Sequence, residues 1–329
     1  MKIIQIFVIF LLSTLLTSCF NPYEGEGGWQ EDWIAIINSN GDSLNYIIKE
    51  RAENIQFTPD NKKIIVNREE KGIWTMSLDG TDYKALTDSL LVHFALPSIC
   101  TDISGCTRIT FAAYSTEKSF SDIYIMNIDG TNLQNLTNTP EVRDRYPHFF
   151  PNGDSIVYAT ESDSLITISI IDKDGDNSRT IISNTPTSKL VQRYYYPRFN
   201  KGGDKIYYKF IVENGGLYSI NIDGTDNTLL FEGHLESHFL SMPDDGSKIV
   251  FSCNSHIYLM NIDGSGILDL GRGGSAMISG DGLKIVFDGI GIMNSDGSNI
   301  IELARGSNPV FSSNGEKIVF IAEREFPED

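Results

Sequence analysis

Three short stretches of the sequence combine basic and aromatic side chains that could recognise another molecule. They are RDRYPH at 143–148, RYYYPR at 193–198 and HLESH at 234–238. Arginine can pair with a carboxylate through two parallel N–H groups, and tyrosine combines an apolar ring with a polar tip. Both residues are also typical anchors of protein interfaces. The stretches therefore predict a site that binds a protein, a sugar or a carboxylate.

The predicted binding residues all belong to these stretches: Arg143, Arg145, Tyr146, His148, Arg193, Tyr194, Tyr195, Arg198, His234 and His238. For Tyr146 and Tyr196, which each precede a proline, packing in the core is an alternative interpretation. Equivalent stretches later in the chain hold only small residues, GGS at 273–275 and GSN at 306–308. We therefore expect a one-sided basic and aromatic site on an otherwise acidic molecule.

Patterns typical of catalysis do not occur in the chain. It contains neither a G-x-S-x-G nucleophile elbow nor an H-E-x-x-H zinc motif. His148, His234 and His238 could meet at one opening of a channel and bind a transition metal. Hydrogen-bonded or solvated histidines are commoner, so we expect no metal, no other cofactor and no catalytic residue. The acidic stretch 172–177 lacks the spacing of an EF-hand loop, and it is interpreted as a turn.

The charge balance argues against one class of partner. The formal net charge is −18, from 44 acidic and 26 basic residues. Such a surface repels phosphate backbones, so nucleic acid is not an expected partner. It also disfavours broad electrostatic adhesion to anionic lipid.

The N-terminus has the pattern of an export signal. Lys2 is followed by a mostly apolar run and then by Leu-Thr-Ser-Cys, which ends at Cys19. Small residues directly before a cysteine resemble the lipobox of bacterial lipoproteins, and that resemblance implies lipidation of Cys19. We expect a signal peptide over 1–18, a lipidated glycine-containing tether over 19–32 and one domain over 33–329. The lipid anchor is then the one expected contact with a membrane, because the apolar run is too short for a comfortable span.

Three further cysteines follow. Cys100 and Cys106 flank a predicted hairpin turn and could form a disulfide across it, since exported proteins permit disulfides. The alternative is that both are small buried side chains. Cys253 is expected in the core.

Two phrases alternate along the rest of the chain. The first is a short apolar strand, then Asp-Gly or Asn-Gly, then a second strand. Its seven copies lie at 34–43, 74–82, 124–132, 169–177, 218–226, 258–266 and 291–299. The second phrase is an apolar strand, a polar turn and a strand such as KIVF. It also has seven copies, at 57–66, 100–111, 149–158, 199–208, 242–251, 278–287 and 311–320.

Each phrase predicts a β-hairpin. Asp-Gly and Asn-Gly tolerate the positive φ angles of a type I′ turn, and the flanking Ile, Val, Tyr and Phe favour strands. The glycines of successive Asp-Gly turns are 33 to 50 residues apart. Four strands in a repeat of about this length are typical of β-propeller blades. Strands such as 123–126 are apolar on both faces, which fits blades that are covered on both sides.

The order of the phrases predicts how the ring closes. A lone hairpin over 34–48 opens the chain, and a lone hairpin over 308–323 ends it. Either one alone would leave an open sheet edge. We therefore expect the two hairpins to pair as one shared blade. The predicted fold is all-β, a seven-bladed propeller of four-stranded antiparallel blades.

The repeats resemble those of TolB-type propellers. Matching segments are YPHFFPNGDSIVYATE at 146–161, IYIMNIDGTNLQNLT at 123–137 and MSLDGTDYKALT at 76–87. The resemblance covers nearly all of 33–323. TolB proper has an additional α/β domain before its propeller, whereas here the predicted tether occupies that place.

These observations predict a binding protein of the bacterial cell envelope rather than an enzyme. It would be lipid-anchored, at the outer membrane, and would hold a protein or an envelope polysaccharide at the channel face. One alternative is a carbohydrate-active lyase or hydrolase on a propeller scaffold. Another is an assembly factor similar to the Tol–Pal system. Fold alone does not decide among them.

Overall fold

The structure is a computed structural model. It describes residues 31–68, 71–87, 91–93, 97–100, 107–115, 120–186, 193–211, 215–235 and 240–324. These residues form strands and turns and no helix, so none of them forms a helix able to cross a bilayer. The predicted signal peptide, Cys19, most of the tether, Cys106 and His238 lie outside the described residues.

The strands, in chain order, are β1 Glu31–Asn38, β2 Asn45–Lys49, β3 Asn54–Phe57, β4 Lys63–Arg68, β5 Gly72–Ser77, β6 Lys84–Ala85, β7 Leu91–His93, β8 Ser98–Ile99, β9 Arg108–Ser115, β10 Asp122–Asn127, β11 Gln134–Asn135, β12 Arg143–Phe149, β13 Ser155–Glu161 and β14 Ile166–Asp172. They continue as β15 Ser178–Asn184, β16 Arg193–Phe199, β17 Lys205–Ile211, β18 Gly216–Asn221, β19 Thr228–Glu232, β20 Lys248–Cys253, β21 His256–Asn261, β22 Leu268–Arg272, β23 Met277–Ile278, β24 Lys284–Phe287, β25 Gly291–Asn294, β26 Ile301–Glu302, β27 Gly306–Phe311 and β28 Lys317–Arg324.

Seven antiparallel sheets confirm the predicted propeller. Blade 1 is β3–β6, blade 2 is β7–β11, blade 3 is β12–β15, blade 4 is β16–β19, blade 5 contains β20–β22, blade 6 is β23–β26, and blade 7 joins β27, β28, β1 and β2. Two inner strands are irregular. In blade 2, β7 and β8 both pair with β9, and in blade 5 the inner strand is represented by two isolated bridges, Leu235 to Cys253 and Ser241 to Val250.

The ring closes as predicted, with two strands from each end of the chain in blade 7. β1 pairs with β28 over eight residues, from Glu31 opposite Arg324 to Asn38 opposite Lys317. β1 begins at Glu31, so the last two residues of the predicted tether belong to this strand. Pairing of the two ends leaves neither hairpin with the open edge that a lone two-stranded unit would expose.

Both faces of a blade are buried, which explains why successive residues of its strands are apolar. On β13, Ile156 and Tyr158 pack with residues of blade 2, whereas Val157 and Ala159 pack with residues of blade 4. All four side chains are buried. Because side chains alternate along a strand, one strand supplies two separate inter-blade cores. Cys253 lies in another such core, as expected.

The Asp-Gly turns differ from the predicted type I′ geometry. In blade 2, the N–H of Asn127 donates to the carbonyl of Thr131 and the N–H of Gly130 donates to that of Asn127. Gly130 has a φ of +91°, whereas Asp129 keeps a negative φ. This is a three-residue loop in which a type I turn precedes a left-handed glycine. The same pattern recurs in blades 4, 5 and 6.

The aspartate of these turns explains why a type I turn with a left-handed glycine forms in place of type I′. Asp129 Oδ1 accepts hydrogen bonds from the backbone N–H and the hydroxyl of Thr131, at 2.9 and 2.6 Å. The hydrogen bonds of Thr131 hold the pKa of this carboxyl below its usual range. The carboxylate is thus occupied within its own turn, in agreement with its interpretation as turn chemistry. A pair of positive φ angles typical of type I′ occurs instead at Asn254 and Ser255, between β20 and β21.

Candidate functional site

One position on the inner strands is equivalent in all seven blades, because its partner on the second strand has the same place in the register. The seven residues at this position, from blade 1 to blade 7, are Gln56, Ser98, His148, Arg198, Ser241, Met277 and Val310. The inner strands of a propeller surround the central channel. We call these seven residues the inner ring. It is polar in blades 1 to 5 and apolar in blades 6 and 7.

Three polar members of the inner ring each connect their own blade to the next. Gln56 donates to the carbonyl of Pro97 at 2.7 Å, and Arg198 donates to the carbonyl of Leu240 at 3.0 Å. Ser241 accepts from the N–H of Ile278 at 3.0 Å. Each contact joins one inner strand to the following one, so the inner ring contributes to the closure of the channel wall.

His148 differs from these residues. Its Nδ1 is buried and has no hydrogen-bond partner among the described residues. Burial, together with a smaller effect of the cation of Arg198, lowers the pKa of His148 to about 3. The imidazole is therefore neutral at physiological pH.

The inner strands of blades 3, 4 and 7 share a bulge at a residue that precedes proline. Tyr146, Tyr196 and Asn308 have φ angles of +57°, +50° and +53°. In each blade two residues of the inner strand oppose one residue of the second strand. Asparagine tolerates the left-handed region, but a tyrosine there is strained. Strain of this kind is often found at functional sites.

The bulges bring three tyrosines together at the end of the channel where the inner strands begin, which we call the front opening. The ring centroids of Tyr146 and Tyr196 are 4.3 Å apart, and that of Tyr195 lies 5.3 Å from Tyr146 and 5.9 Å from Tyr196. Burial raises the pKa of Tyr146 and Tyr196, so both hydroxyls are protonated at neutral pH. The cluster combines protonated hydroxyls with apolar rings.

Arginines surround this cluster. Arg193 forms an ion pair with Glu161 at 2.8 Å, and its other terminal nitrogen contacts the hydroxyl of Tyr195 at 3.4 Å. Arg145 lies close enough to Tyr146 to oppose the rise in its pKa. Lys209 Nζ is 5.9 Å from the ring centroid of Tyr195 and donates to the carbonyl of Leu235. This side of the opening therefore holds more cations than carboxylates.

The structure thus brings together seven residues that we call the mouth sector: Arg145, Tyr146, His148, Arg193, Tyr195, Tyr196 and Arg198. Six were predicted as binding residues. The seventh, Tyr196, was not predicted as a binding residue, and packing in the core was the alternative for it and for Tyr146. Tyr146 does pack against the core between blades 3 and 4, and the bulge places Tyr196 beside the other two tyrosines.

Other predicted residues lie apart from the mouth sector. Tyr194 is buried in the core between blades 3 and 4, where its hydroxyl contacts the amide of Asn184 at 2.5 Å. Arg143 stacks over the ring of Phe120 at 5.2 Å. His234 is exposed in blade 5. These three positions do not enter the site that we propose below.

Sequence reasoning missed Glu161 and Asp144. Glu161 pairs with Arg143 in the register of β12 and β13, so a register prediction could have found it. Asp144 is buried and accepts hydrogen bonds from Thr139 and Thr160, at 2.8 and 2.7 Å. Burial raises the pKa of Asp144. It fixes the start of β12 rather than facing the opening.

Two other expectations concern bound metal and the disulfide. Within the part of the chain that the structure describes, no group of three or more His, Cys, Asp or Glu side chains could hold a metal ion. Cys100 is disulfide-bonded, but Cys106 lies outside the described residues, so the pairing of these two cysteines stays a prediction.

Comparisons with known proteins find likeness in structure alone. No protein-family model matches the chain, and no curated protein matches its sequence. A structure described as TolB from Agrobacterium tumefaciens is 17% identical, with a TM-score of 0.60 over 92% of this chain and 100% of that one. The fold is the propeller of TolB structures. TolB from Acinetobacter baumannii is 13% identical, with a TM-score of 0.51 over 90% of this chain and 64% of that one.

Carbohydrate-active enzymes share the fold as well. Oligogalacturonate lyase from Vibrio parahaemolyticus is 11% identical, with a TM-score of 0.59 over 87% of this chain and 82% of that one. At such identities the likeness shows the architecture, and the function must be argued from the mouth sector.

Proposed function

We propose that this protein is a lipid-anchored binding protein of the bacterial cell envelope, which holds a protein or an envelope polymer at the front opening of its channel. The observation that carries the proposal is the mouth sector. Arginines and tyrosines from blades 3 and 4 converge there, whereas the inner ring of blades 6 and 7 offers Met277 and Val310. Arginine and tyrosine together supply the anchors that interfaces most often use.

The test is capture of a partner from envelope extracts, followed by mass spectrometry. Arg145→Ala combined with Arg193→Ala removes two partly exposed cations of the mouth sector. Arg198 is left intact, because it donates to the carbonyl of Leu240 and its loss would weaken the channel wall. The control is Lys62→Ala combined with Arg272→Ala, which removes the same charge from exposed positions elsewhere.

We expect a specific partner to be captured by the native chain and by the control variant, and to be lost from the mouth variant. Equal capture by both variants would show that the partner binds elsewhere. Thermal unfolding of both variants checks that the propeller remains intact.

The envelope location rests on the N-terminal pattern and on the likeness to TolB structures. Lipidation of Cys19 is tested by metabolic labelling with a fatty acid. We expect label in the native chain and none in Cys19→Ser, with release of that variant from the membrane fraction. Which membrane holds the native protein is then read from its fractionation.

A carbohydrate-active enzyme is the second candidate, favoured by the lyase structures that share the fold. A third candidate function, an assembly factor similar to the Tol–Pal system, is favoured by the TolB structures. Incubation with acidic oligosaccharides separates the enzyme from the two binding functions, since an enzyme shortens the chains and a binding protein leaves their length unchanged.

A further inference from the structure

Two nitrogen atoms of the mouth sector are buried without a hydrogen-bond partner among the described residues. They are Arg145 Nε and His148 Nδ1. A buried polar atom with no partner is costly, and native structures contain few of them. Two such atoms on one strand indicate that a partner from outside the chain completes the site.

Both side chains project from the same side of blade 3. Arg145 lies opposite Ala159 and His148 lies opposite Val157, two residues apart on β13. Ala159 and Val157 both pack against blade 4. Because directly opposed residues share a face of a sheet, Arg145 and His148 face blade 4 at the interface between β12 and β16, which we call the crevice. The rings of Tyr195 and Tyr196 of β16 lie 5.3 and 4.3 Å from the ring of Tyr146 on β12.

The charges around the crevice favour an anion. Arg145 faces it, Arg193 lies at the start of β16, and the cation of Arg198 is close enough to lower the pKa of His148. The carboxylate of Glu161 is already paired with Arg193. The carboxylate of Asp144 is buried and accepts hydrogen bonds from the hydroxyl groups of two threonines. A ligand that fits these surroundings must accept hydrogen bonds and carry negative charge.

We propose that the crevice between β12 and β16 is a subsite for a carboxylate, held by Arg145 and His148. A guanidinium Nε–H and a neutral imidazole with its hydrogen on Nδ1 supply one donor each, which matches the two oxygens of a carboxylate. The tyrosine rings then contact the carbon atoms beside that group. This inference rests on the proposed function and names the chemical group that the ligand presents.

Titration calorimetry on the full chain tests the proposal with four probes. Galacturonate and N-acetylglutamate carry a carboxylate, galactose lacks one, and inorganic phosphate is a different anion. We expect both or either of the carboxylate probes to bind about tenfold more tightly than galactose and phosphate. Binding of galacturonate alone assigns the carboxylate to an acidic sugar, and binding of N-acetylglutamate alone assigns it to an acidic peptide.

The affinities of variants at Arg145 and His148 test the subsite directly. Arg145→Gln should weaken binding of the carboxylate probe by about tenfold, and Arg145→Lys should also weaken it because lysine keeps the charge but lacks the Nε–H fork. The matched control is Arg272→Gln, at an exposed arginine of β22, which should leave the affinity within about twofold. Should Arg145→Gln lower the unfolding temperature, Arg145→Lys and His148→Asn still test the subsite.

Affinities for galacturonate and N-acetylglutamate that are both no tighter than the affinity for galactose would overturn the carboxylate subsite, and so would tighter binding of phosphate. So would an affinity that none of the Arg145 and His148 variants changes. Loss of partner capture in the Arg145 and Arg193 variant, combined with no binding of any carboxylate probe, would leave the proposed function standing and reject only this inference.

Discussion

Blades 3 and 4 and blades 6 and 7 place very different side chains at the same positions of one fold. At the inner ring, His148 and Arg198 correspond to Met277 and Val310. At the bulge of blade 7, Asn308 takes the place that a strained tyrosine occupies in blade 4. The apolar skeleton is shared, so a blade of this fold can form without arginine or tyrosine at these positions. Their presence on one side of the opening is what a binding role explains.

The largest effect is expected from a charge reversal placed at matched positions. Arg145 and Ser307 have equivalent places in the register of their blades. Arg145→Glu puts a carboxylate where the ligand is held, so we expect capture of the partner to fall about a hundredfold, or about 2.7 kcal/mol. Ser307→Glu introduces a carboxylate at the equivalent position of blade 7, with a charge change of −1 instead of −2, and should cost less than about threefold.

Quantitative binding of the identified partner checks this pair of variants. Equal losses in both would mean that the two sides of the opening contribute alike, and the comparison between the blades would then fail.

A second pair of variants compares the two kinds of bulge. Tyr196→Gly removes the strain of a left-handed tyrosine but also loses its contacts with the rings of Tyr146 and Tyr195, so we expect a net loss of about 2 kcal/mol. Asn308→Gly should change stability by no more than about 0.5 kcal/mol, because asparagine already tolerates this conformation. Chemical unfolding measures both. A stabilised Tyr196→Gly would show that strain outweighs the ring contacts.

The third prediction concerns pH and compares His148 with the non-titrating Met277. The pKa of His148 is about 3 in the folded chain and near its ordinary value of 6.5 when unfolded. The unfolded state therefore takes up a proton first as the pH falls. Stability from this group is complete above pH 6.5 and decreases steadily towards pH 3, by up to about 1.4 kcal/mol for each pH unit.

His148→Gln removes this dependence, so the stability gap between the native chain and the variant should narrow or reverse between pH 6.5 and 5. Met277→Gln serves as the control and should leave the slope of the native chain unchanged. If the free energy of unfolding of His148→Gln falls with pH as steeply as that of the native chain, another group is responsible for the titration.

The repeat made the architecture predictable from sequence. Fourteen hairpin phrases, with apolar residues on both strand faces, permit little except blades that are covered on both sides. The position of one lone hairpin at each end then required the shared blade, which β1 and β28 confirm. The turn type was not predictable in the same way. Asp-Gly suits both type I′ and a type I turn followed by a left-handed glycine, and the threonine hydrogen bonds of Asp129 decide between them.

The site was less predictable, because bulges reset the alternation of side chains. In Tyr194-Tyr195-Tyr196, regular alternation places the outer two on one face and the middle one on the other. The bulge instead brings Tyr195 and Tyr196 into one cluster and leaves Tyr194 in the core. The unpartnered nitrogens of Arg145 and His148 are equally invisible in sequence, since they depend on the contacts of neighbouring blades.

Site-specific photocrosslinking in envelope preparations tests the central claim most directly. A photoreactive benzoylphenylalanine is introduced in place of Tyr195 in one variant and in place of Ser307 in another, at equivalent register positions of blades 4 and 7. We predict a discrete covalent adduct from position 195 and none from position 307. An adduct from position 307 alone, or equal adducts from both, would contradict a binding site on the side of blades 3 and 4.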